Sequence, residues 1–212
     1  MLDFTETGSP RRLVVVAAHP GDTTFGAGGL VATAHASGVS VYVVLLTAGR
    51  SLTGPVDPSL ALAHVAAVEG AVDLLAPGAP VAYLGATPGT LHQRVEEIEA
   101  GLLPLVLGGR QTLVAAPWRR DGDPDHETTG RAAAAVATSA GARLVEFPVS
   151  AWRTRQHPWP TLERLALVPE TQFRKQQAAD RLRGIDRCQP PPSRALANAE
   201  HFVVEAVVPV DG

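Results

Sequence analysis

The feature that most constrains the fold is an uninterrupted apolar run, Leu13–Ala18, which ends at the turn His19-Pro20-Gly21. A run that is rich in valine and has no polar alternation predicts a strand buried on both faces. A segment with helical character, Gly26–Ser37, follows, and Gly38 ends it. A buried strand, a turn and a helix in this order predict the first unit of a parallel α/β sheet.

The same alternation continues along the chain and predicts a Rossmann-like, three-layer α/β/α fold with a mostly parallel sheet. We expect a single domain over residues 1–212, because too little chain follows the Pro-rich loop at 189–193 to fold alone. Further strands are predicted at Val39–Thr47, Pro80–Leu84, Thr112–Ala116, Arg143–Phe147 and His201–Val208, and further helices at Leu60–Leu75, Leu91–Leu107, His126–Ser139 and Pro169–Leu182.

The composition of the chain bears on its cellular location and on the classes of partner that it can bind. The chain has 18 basic and 21 acidic residues, a net charge of −3, which argues against broad electrostatic binding to nucleic acid. The single cysteine, Cys188, cannot form an intramolecular disulfide. The N-terminus lacks the apolar region of a signal peptide, and the wholly apolar runs are far shorter than the roughly 20 residues that span a bilayer. We expect a soluble cytoplasmic protein without nucleic-acid or membrane partners. The sequence leaves open whether the protein is a monomer or a homo-oligomer.

The loop after the first strand carries two metal-binding residue types. His19 and Asp22 lie three residues apart in AAHPGDTTFGAGG, at the carboxyl end of the strand, where α/β sheets bind ligands. Imidazole and carboxylate are good ligands for zinc. Taken separately, His19 has a structural interpretation as a turn residue and Asp22 as a helix N-cap. The glycines do not form G-x-G-x-x-G, so a dinucleotide site is poorly supported.

A second acidic loop follows the strand Thr112–Ala116 at the same predicted edge of the sheet. Its sequence, APWRRDGDPDHETTG, contains Asp121, Asp123, Asp125 and His126. Asp121 and Asp123 have an interpretation as turn residues. Asp125 has two compatible interpretations, as a helix N-cap and as a carboxylate that orients a ligating histidine.

The two loops together would supply three protein ligands, His19, Asp22 and His126, and leave one coordination position open. That arrangement is typical of a catalytic zinc site, whereas a structural site has four protein ligands.

Both loops resemble the LmbE/PIG-L family of zinc-dependent de-N-acetylases and amidases. AHPGDT at 18–23 is similar to the family's AHPDDE motif, and DPDH at 123–126 is similar to its HPDH motif. The resemblance implies an LmbE-like fold and Zn²⁺ held by His19, Asp22 and His126. It also implies hydrolysis of an N-acyl group, such as acetyl, from a small amino sugar or related conjugate. Weaker landmarks are TAG at 47–49, Glu69, FPV at 147–149, Arg174-Lys175 and DRCQ at 186–189.

The chain departs from the family pattern at both proton-transfer positions. The first aspartate of AHPDDE resembles a general base, and Gly21 stands there; the first histidine of HPDH is replaced by Asp123. An arginine expected near Ala66–Ala67 is also missing. One hypothesis is a protein that binds metal or ligand but hydrolyses poorly, since losing a general base costs about 10²–10⁴-fold in rate. The other is that Asp123 has taken over the proton transfer, and we predict Asp123 and Asp125 as catalytic residues.

Substrate contacts are expected from the neighbouring loops. Thr47 and Arg50 follow the second strand, and Trp118 follows Thr112–Ala116. The ring of Trp118 can stack on an apolar sugar face, and core packing is the alternative for this residue. A third functional hypothesis, a nucleotide-binding α/β protein, predicts nucleotide binding by the zinc-free protein.

Overall fold

The structure, a computed structural model, describes residues 4, 8–49, 57–151, 161–183, 185 and 199–204. The strands are β1 (Arg12–Ala17), β2 (Ser40–Thr47), β3 (Val81–Ala86), β4 (Thr112–Pro117), β5 (Arg143–Phe147), β6 (Leu162–Ala166) and β7 (Ala199–Val203). The helices are α1 (Asp22–Ala36), α2 (Pro58–Leu75), α3 (Val95–Val106), α4 (Pro124–Ala140) and α5 (Pro169–Arg181), with short 3₁₀ turns at Leu91–Gln93 and Gly109–Gln111.

The strands form one seven-stranded sheet in the order β3-β2-β1-β4-β5-β7-β6. Neighbouring strands from β3 to β5 are parallel, whereas β7 runs antiparallel to both β5 and β6. The predicted Rossmann-like α/β fold with a mostly parallel sheet is therefore confirmed. The order reverses at β1, which lies between β2 and β4, so the loops after β1 and β4 leave the sheet side by side.

The central strand β1 is buried on both faces, as its uninterrupted apolar sequence predicts. Leu13, Val15 and Ala17 belong to a core shared with α1, α2 and α5. Val14 and Val16 point the other way, into a core shared with α3 and α4. Alternate side chains of one strand thus join the helical layers on opposite faces of the sheet.

Helix α1 packs unusually close to the sheet and to the C-terminal elements. A Cβ atom at Gly26 would lie 2.2 Å from the ring of Phe147, and one at Gly29 would lie 2.4 Å from Leu167. Glycine at these two positions allows this close packing.

A buried ion pair fills the remaining space beside α1. The Glu200 carboxylate accepts hydrogen bonds from the amides of Gly29 (2.6 Å) and Leu30 (2.8 Å). The Lys175 ammonium donates to Glu200 (2.5 Å) and to the carbonyl of Phe25 (3.2 Å). This pair links α1, α5 and β7 in the core, where a charge is tolerated because it is paired and hydrogen-bonded.

Several predicted boundaries are wrong. Helix α1 begins at Asp22, four residues before the predicted start, and α4 begins at Pro124, before the predicted His126. The predicted helix Leu91–Leu107 is instead a 3₁₀ turn and α3, because Arg94 between them is not helical. Strand β6 was not predicted, since LERLA is only five residues long and does not alternate polar and apolar residues. The last strand begins at Ala199, and residues 205–208 of its predicted range lie outside the described residues.

Helix α2 is long and apolar enough, by length and composition, to cross a membrane, with a mean hydropathy of 1.3 over its 18 residues. Core helices of soluble proteins also meet this criterion. One face of α2 is in the core through Val68, Val72 and Leu75, whereas Leu60 and Leu62 on its other side are exposed.

Candidate metal centre

Two loops meet at the carboxyl edge of the parallel strands. His19 follows β1, and residues 118–123 follow β4 and lead into α4. Because β1 and β4 are adjacent and parallel, the imidazole rings of His19 and His126 come together, with their centroids 5.3 Å apart. Helix α4 packs tightly beneath the second loop, since a Cβ at Gly130 would lie 2.4 Å from the carbonyl oxygen of Pro117.

The protonation of the His19 ring follows from its neighbour Thr47. The Thr47 hydroxyl donates to the carbonyl oxygen of Ala18 at 2.8 Å, so its oxygen is left to accept hydrogen bonds. The Nδ1 atom of His19 lies 2.9 Å from that oxygen and therefore carries the proton. This leaves the Nε2 lone pair of His19 available, with the Oδ2 atom of Asp125 at 3.5 Å.

A buried carboxylate fixes the orientation of the His126 ring. Its Nδ1 atom lies 2.6 Å from the Oδ2 atom of Asp121. Asp121 is fully buried and also accepts hydrogen bonds from the amides of Val149, Ser150 and Ala151, at 2.7, 2.8 and 3.0 Å. The carboxylate thus holds both the ring and the segment after β5, and it directs the His126 Nε2 atom into the site.

The Nε2 atom of His126 is a buried polar atom without a hydrogen-bond partner among the residues that the structure describes. Its nearest charged neighbour is the Oδ1 atom of Asp22, at 3.3 Å. A lone pair that faces a carboxylate oxygen is unfavourable unless a cation or a proton lies between them. The Oδ2 atom of Asp22 accepts from the His19 amide at 2.8 Å, which fixes the orientation of this carboxylate.

The electrostatics of the two histidines differ in sign. Burial lowers the pKa of His19, and the nearby His126 lowers it further, against a partial opposing effect of Asp22. Burial also acts to lower the pKa of His126, but the carboxylates of Asp22 and Asp121 raise it well above its usual value. Burial raises the pKa of Asp22, and the two histidines outweigh this effect and lower it overall. The space between Asp22 and His126 therefore favours positive charge.

Asp123 lies at the mouth of this cluster. It is the N-cap of α4, and its Oδ1 atom accepts from the amides of Asp125 (2.9 Å) and His126 (3.3 Å). Carboxylate and imidazole donor atoms of Asp123, His19 and His126 all lie within 4.8 Å of one another. Asp125 is buried, and its Oδ2 atom accepts from the amide of Gly89 at 2.6 Å, in the loop after β3.

The donor set fits a divalent metal ion. It combines two imidazole nitrogens, which can bind a metal once deprotonated, with carboxylate oxygens, and these are ligand types that zinc prefers. The observation that supports the fit is the Nε2 atom of His126, which lies beside the Asp22 carboxylate and has no hydrogen-bond partner in the described part of the chain.

A comparison with protein families gives the site its context. Residues 14–137 match the family model of PIG-L, described as GlcNAc-PI de-N-acetylase. The chain belongs to the PIG-L family. The matched range includes both loops of the candidate metal centre, and no curated protein sequence matches the chain.

Solved structures show that the fold is shared by deacetylases. The A40926 pseudoaglycone deacetylase Dbv21 is 19% identical, with a TM-score of 0.72 over 92% of this chain and 96% of its own. The N,N'-diacetylchitobiose deacetylase from Pyrococcus horikoshii is 18% identical, with a TM-score of 0.67 over 93% and 84%. GalB, the 4-carboxy-2-hydroxymuconate hydratase from Pseudomonas putida KT2440, is 16% identical, with a TM-score of 0.59 over 88% and 81%. The same fold therefore carries more than one reaction.

Two structural interpretations of single site residues in this PIG-L protein are wrong. The N-cap of α1 is Gly21, and Asp22 is the first residue of the helix. The N-cap of α4 is Asp123, so Asp125 does not have that position.

The predicted substrate contacts have different surroundings. Thr47 is buried and hydrogen-bonded to His19. Trp118 is 2% exposed and packs with Ala151 and Val203, as the core-packing alternative predicts. Arg50 lies outside the described residues.

Sequence reasoning missed Asp121 as a functional residue, because D-G-D reads as a turn. The only available signal was a carboxylate five residues before a predicted ligand histidine. The amides that Asp121 also binds come from 28 to 30 residues further along the chain.

Proposed function

We propose that the protein is a zinc-dependent hydrolase that removes an N-acyl group, such as acetyl, from an amino sugar or a related conjugate. Membership in the PIG-L family supports the reaction class. The single observation that carries the proposal is the buried Nε2 atom of His126, which has no hydrogen-bond partner among the described residues and lies 3.3 Å from the Asp22 carboxylate. A site arranged in this way favours a cation.

In this proposal His19, Asp22 and His126 hold the metal. When bound, zinc polarises the amide carbonyl and makes a water more acidic. Asp123 accepts the proton of the attacking water, since it is the carboxylate at the mouth of the site and Gly21 offers no side chain. Asp125 supports the chemistry by holding the loop at Gly89 against the site and by lying next to His19.

In the same proposal Arg50, which follows the second strand in the sequence, contacts the substrate, whereas Thr47 positions His19 and Trp118 packs in the core. The substrate is a small molecule, without nucleic-acid or membrane partners, and the protein acts in the cytoplasm as a monomer or a homo-oligomer. The mild net charge of −3 supports the absence of a nucleic-acid partner.

A second candidate is a relative that binds metal or ligand without efficient hydrolysis. Gly21 favours it, because the position that resembles the family's general base has no side chain. Asp123 also carries a structural task as the N-cap of α4, and a negative charge cannot stabilise a developing oxyanion.

The first experiment measures bound zinc by elemental analysis after purification without chelators. We expect about one zinc per native chain and a marked loss in His126→Ala. Glu127→Gln is the control, since Glu127 follows His126 but contacts Gly122 and Arg131 instead of the cluster. A native protein that holds no zinc, even after reconstitution, would contradict the proposed function.

The second experiment separates the two candidates by acetate release from N-acetylated amino sugars. Native activity that is lost on chelation and restored by zinc supports the hydrolase. Activity that arises only in Gly21→Asp supports the impaired relative, because that variant returns a carboxylate to the base position.

A further inference from the structure

Asp123 caps α4 through one of its two carboxylate oxygens. Both of the hydrogen bonds that it accepts go to the same atom, Oδ1. Within the described parts of the chain, no hydrogen bond is made to Oδ2. The cap therefore fixes the orientation of the carboxylate and leaves a full oxygen free for another partner.

The position of the carboxylate points to the nature of that partner. A donor oxygen of Asp123 lies within 4.8 Å of the ligand nitrogens of both His19 and His126. The Nε2 atom of His126 is buried, is directed into the same space and has no hydrogen-bond partner within the described ranges. Two imidazole lone pairs and a carboxylate oxygen that converge on one point form the donor set of a metal ion, whose ligands lie about 2.0–2.2 Å from it.

We propose that Asp123 is itself a ligand of the resting metal site, and that with His19, Asp22 and His126 it closes the coordination position left for water. The inference rests on the proposed function, because it needs the metal centre. It makes the resting site similar to a structural zinc site, with four protein ligands.

The proposed ligation also defines when Asp123 acts as a base. One carboxylate oxygen cannot bind the metal and accept a proton at the same time. Ligation by Asp123 therefore describes the site before substrate arrives, and to accept a proton the carboxylate would have to leave the metal and free that position for water. Gly21 makes this double use necessary, since no second carboxylate is available at that position.

The test compares zinc affinity in the native protein, Asp123→Asn and Glu127→Gln by competition with a chelating dye. Asparagine is as good an N-cap as aspartate, so α4 keeps its start and the fold is maintained. We expect Asp123→Asn to lower the affinity at least about tenfold, the minimum loss for residues that support a metal. Glu127→Gln removes the same unit charge four residues further along the chain, and we expect its affinity to stay within about twofold of native.

The second readout is the visible spectrum of the Co²⁺ form with added azide, which binds only where a coordination position is open. We expect azide to leave the native spectrum unchanged and to shift that of Asp123→Asn. Equal azide responses in both proteins, or equal zinc affinities of Asp123→Asn and Glu127→Gln, would overturn the inference while leaving a three-ligand hydrolase intact. Failure of the native protein to bind any metal would instead contradict the proposed function.

Discussion

Asp121, in the metal centre, and Glu200, in the core beside α1, are buried carboxylates with the same kind of surroundings. Asp121 accepts hydrogen bonds from three backbone amides and from the ring of His126. Glu200 accepts hydrogen bonds from two backbone amides and from the ammonium group of Lys175. Both satisfy a buried negative charge with hydrogen bonds from distant segments. The partner residue decides the consequence, because a histidine that gives up a proton can offer its second ring nitrogen to a metal, whereas a lysine ammonium has no lone pair.

Breaking the core pair tests this comparison most strongly. Glu200→Gln leaves the Lys175 charge buried without its partner, and we expect the unfolding free energy of the metal-free protein to fall by about 3–5 kcal/mol. Chemical denaturation in the presence of chelator measures this loss. Lys175→Met added to Glu200→Gln should recover part of the stability, since no unpaired charge remains. A Glu200→Gln protein that is as stable as native would show that the pair is not a stabilising contact.

The corresponding change in the metal centre, Asp121→Asn, should lower both the unfolding free energy and the affinity for zinc. Asp121→Asn retains the shape of the side chain but places an NH₂ group, which cannot accept a hydrogen bond, opposite backbone amide donors. This mismatch costs about 1–3 kcal/mol in unfolding free energy. It also releases the His126 ring, and we expect zinc affinity to fall about 10- to 100-fold. Isothermal titration of the folded variant measures the second effect. If zinc affinity is retained, the ring does not depend on Asp121 for its orientation.

Thr47 sharpens the comparison because it supports the other histidine without a charge. Thr47→Val removes the hydroxyl that accepts from His19, and we expect about a tenfold loss in zinc affinity. The unfolding free energy should fall by about 1–3 kcal/mol, since the hydroxyl loses its hydrogen bonds with His19, Ala18 and Gly49. Thr47→Ser is the control, because it keeps the hydroxyl and should restore the affinity. Equal affinities of the valine and serine variants would remove Thr47 from the support of the site.

The smallest effect is expected at an exposed ion pair. Glu170 lies 3.2 Å from Arg174 on the surface of α5. We expect Glu170→Gln to change the unfolding free energy by less than about 0.5 kcal/mol, because solvent screens exposed pairs. The same denaturation assay provides the comparison with Glu200. A loss as large as that of Glu200→Gln would mean that burial is not the cause of the difference.

The parallel half of the fold could be predicted from the sequence because its signals are local. Leu13–Ala18 is apolar at every position, so the strand, its burial and the site at its end all followed from one segment. Strand β6 could not be predicted in the same way, since its stability comes from pairing with β7, more than 30 residues away.

The residues of the candidate site show the same difference between local and long-range signals. The candidate ligands His19, Asp22 and His126 were found because each lies in a short motif after a buried strand. The role of Asp121 was not found, because it depends on amides that approach only after the sheet has formed. The free oxygen of Asp123 depends on the geometry of a helix cap, which residue types alone do not specify.

The position of β7 has a consequence for how the protein forms during synthesis. The strands from β1 to β5 are consecutive enough in sequence to assemble as the chain emerges, because domains generally fold from the N-terminus at about 5–20 residues per second. Strand β7 is the last in the described chain, yet it lies between β5 and β6 in the sheet. Until β7 is synthesised and pairs, the edge of β5 is open to other chains, and Lys175 lacks the carboxylate of Glu200. Overexpression that outpaces this last insertion should therefore yield aggregates seeded at β5, and slower translation at low temperature should reduce them.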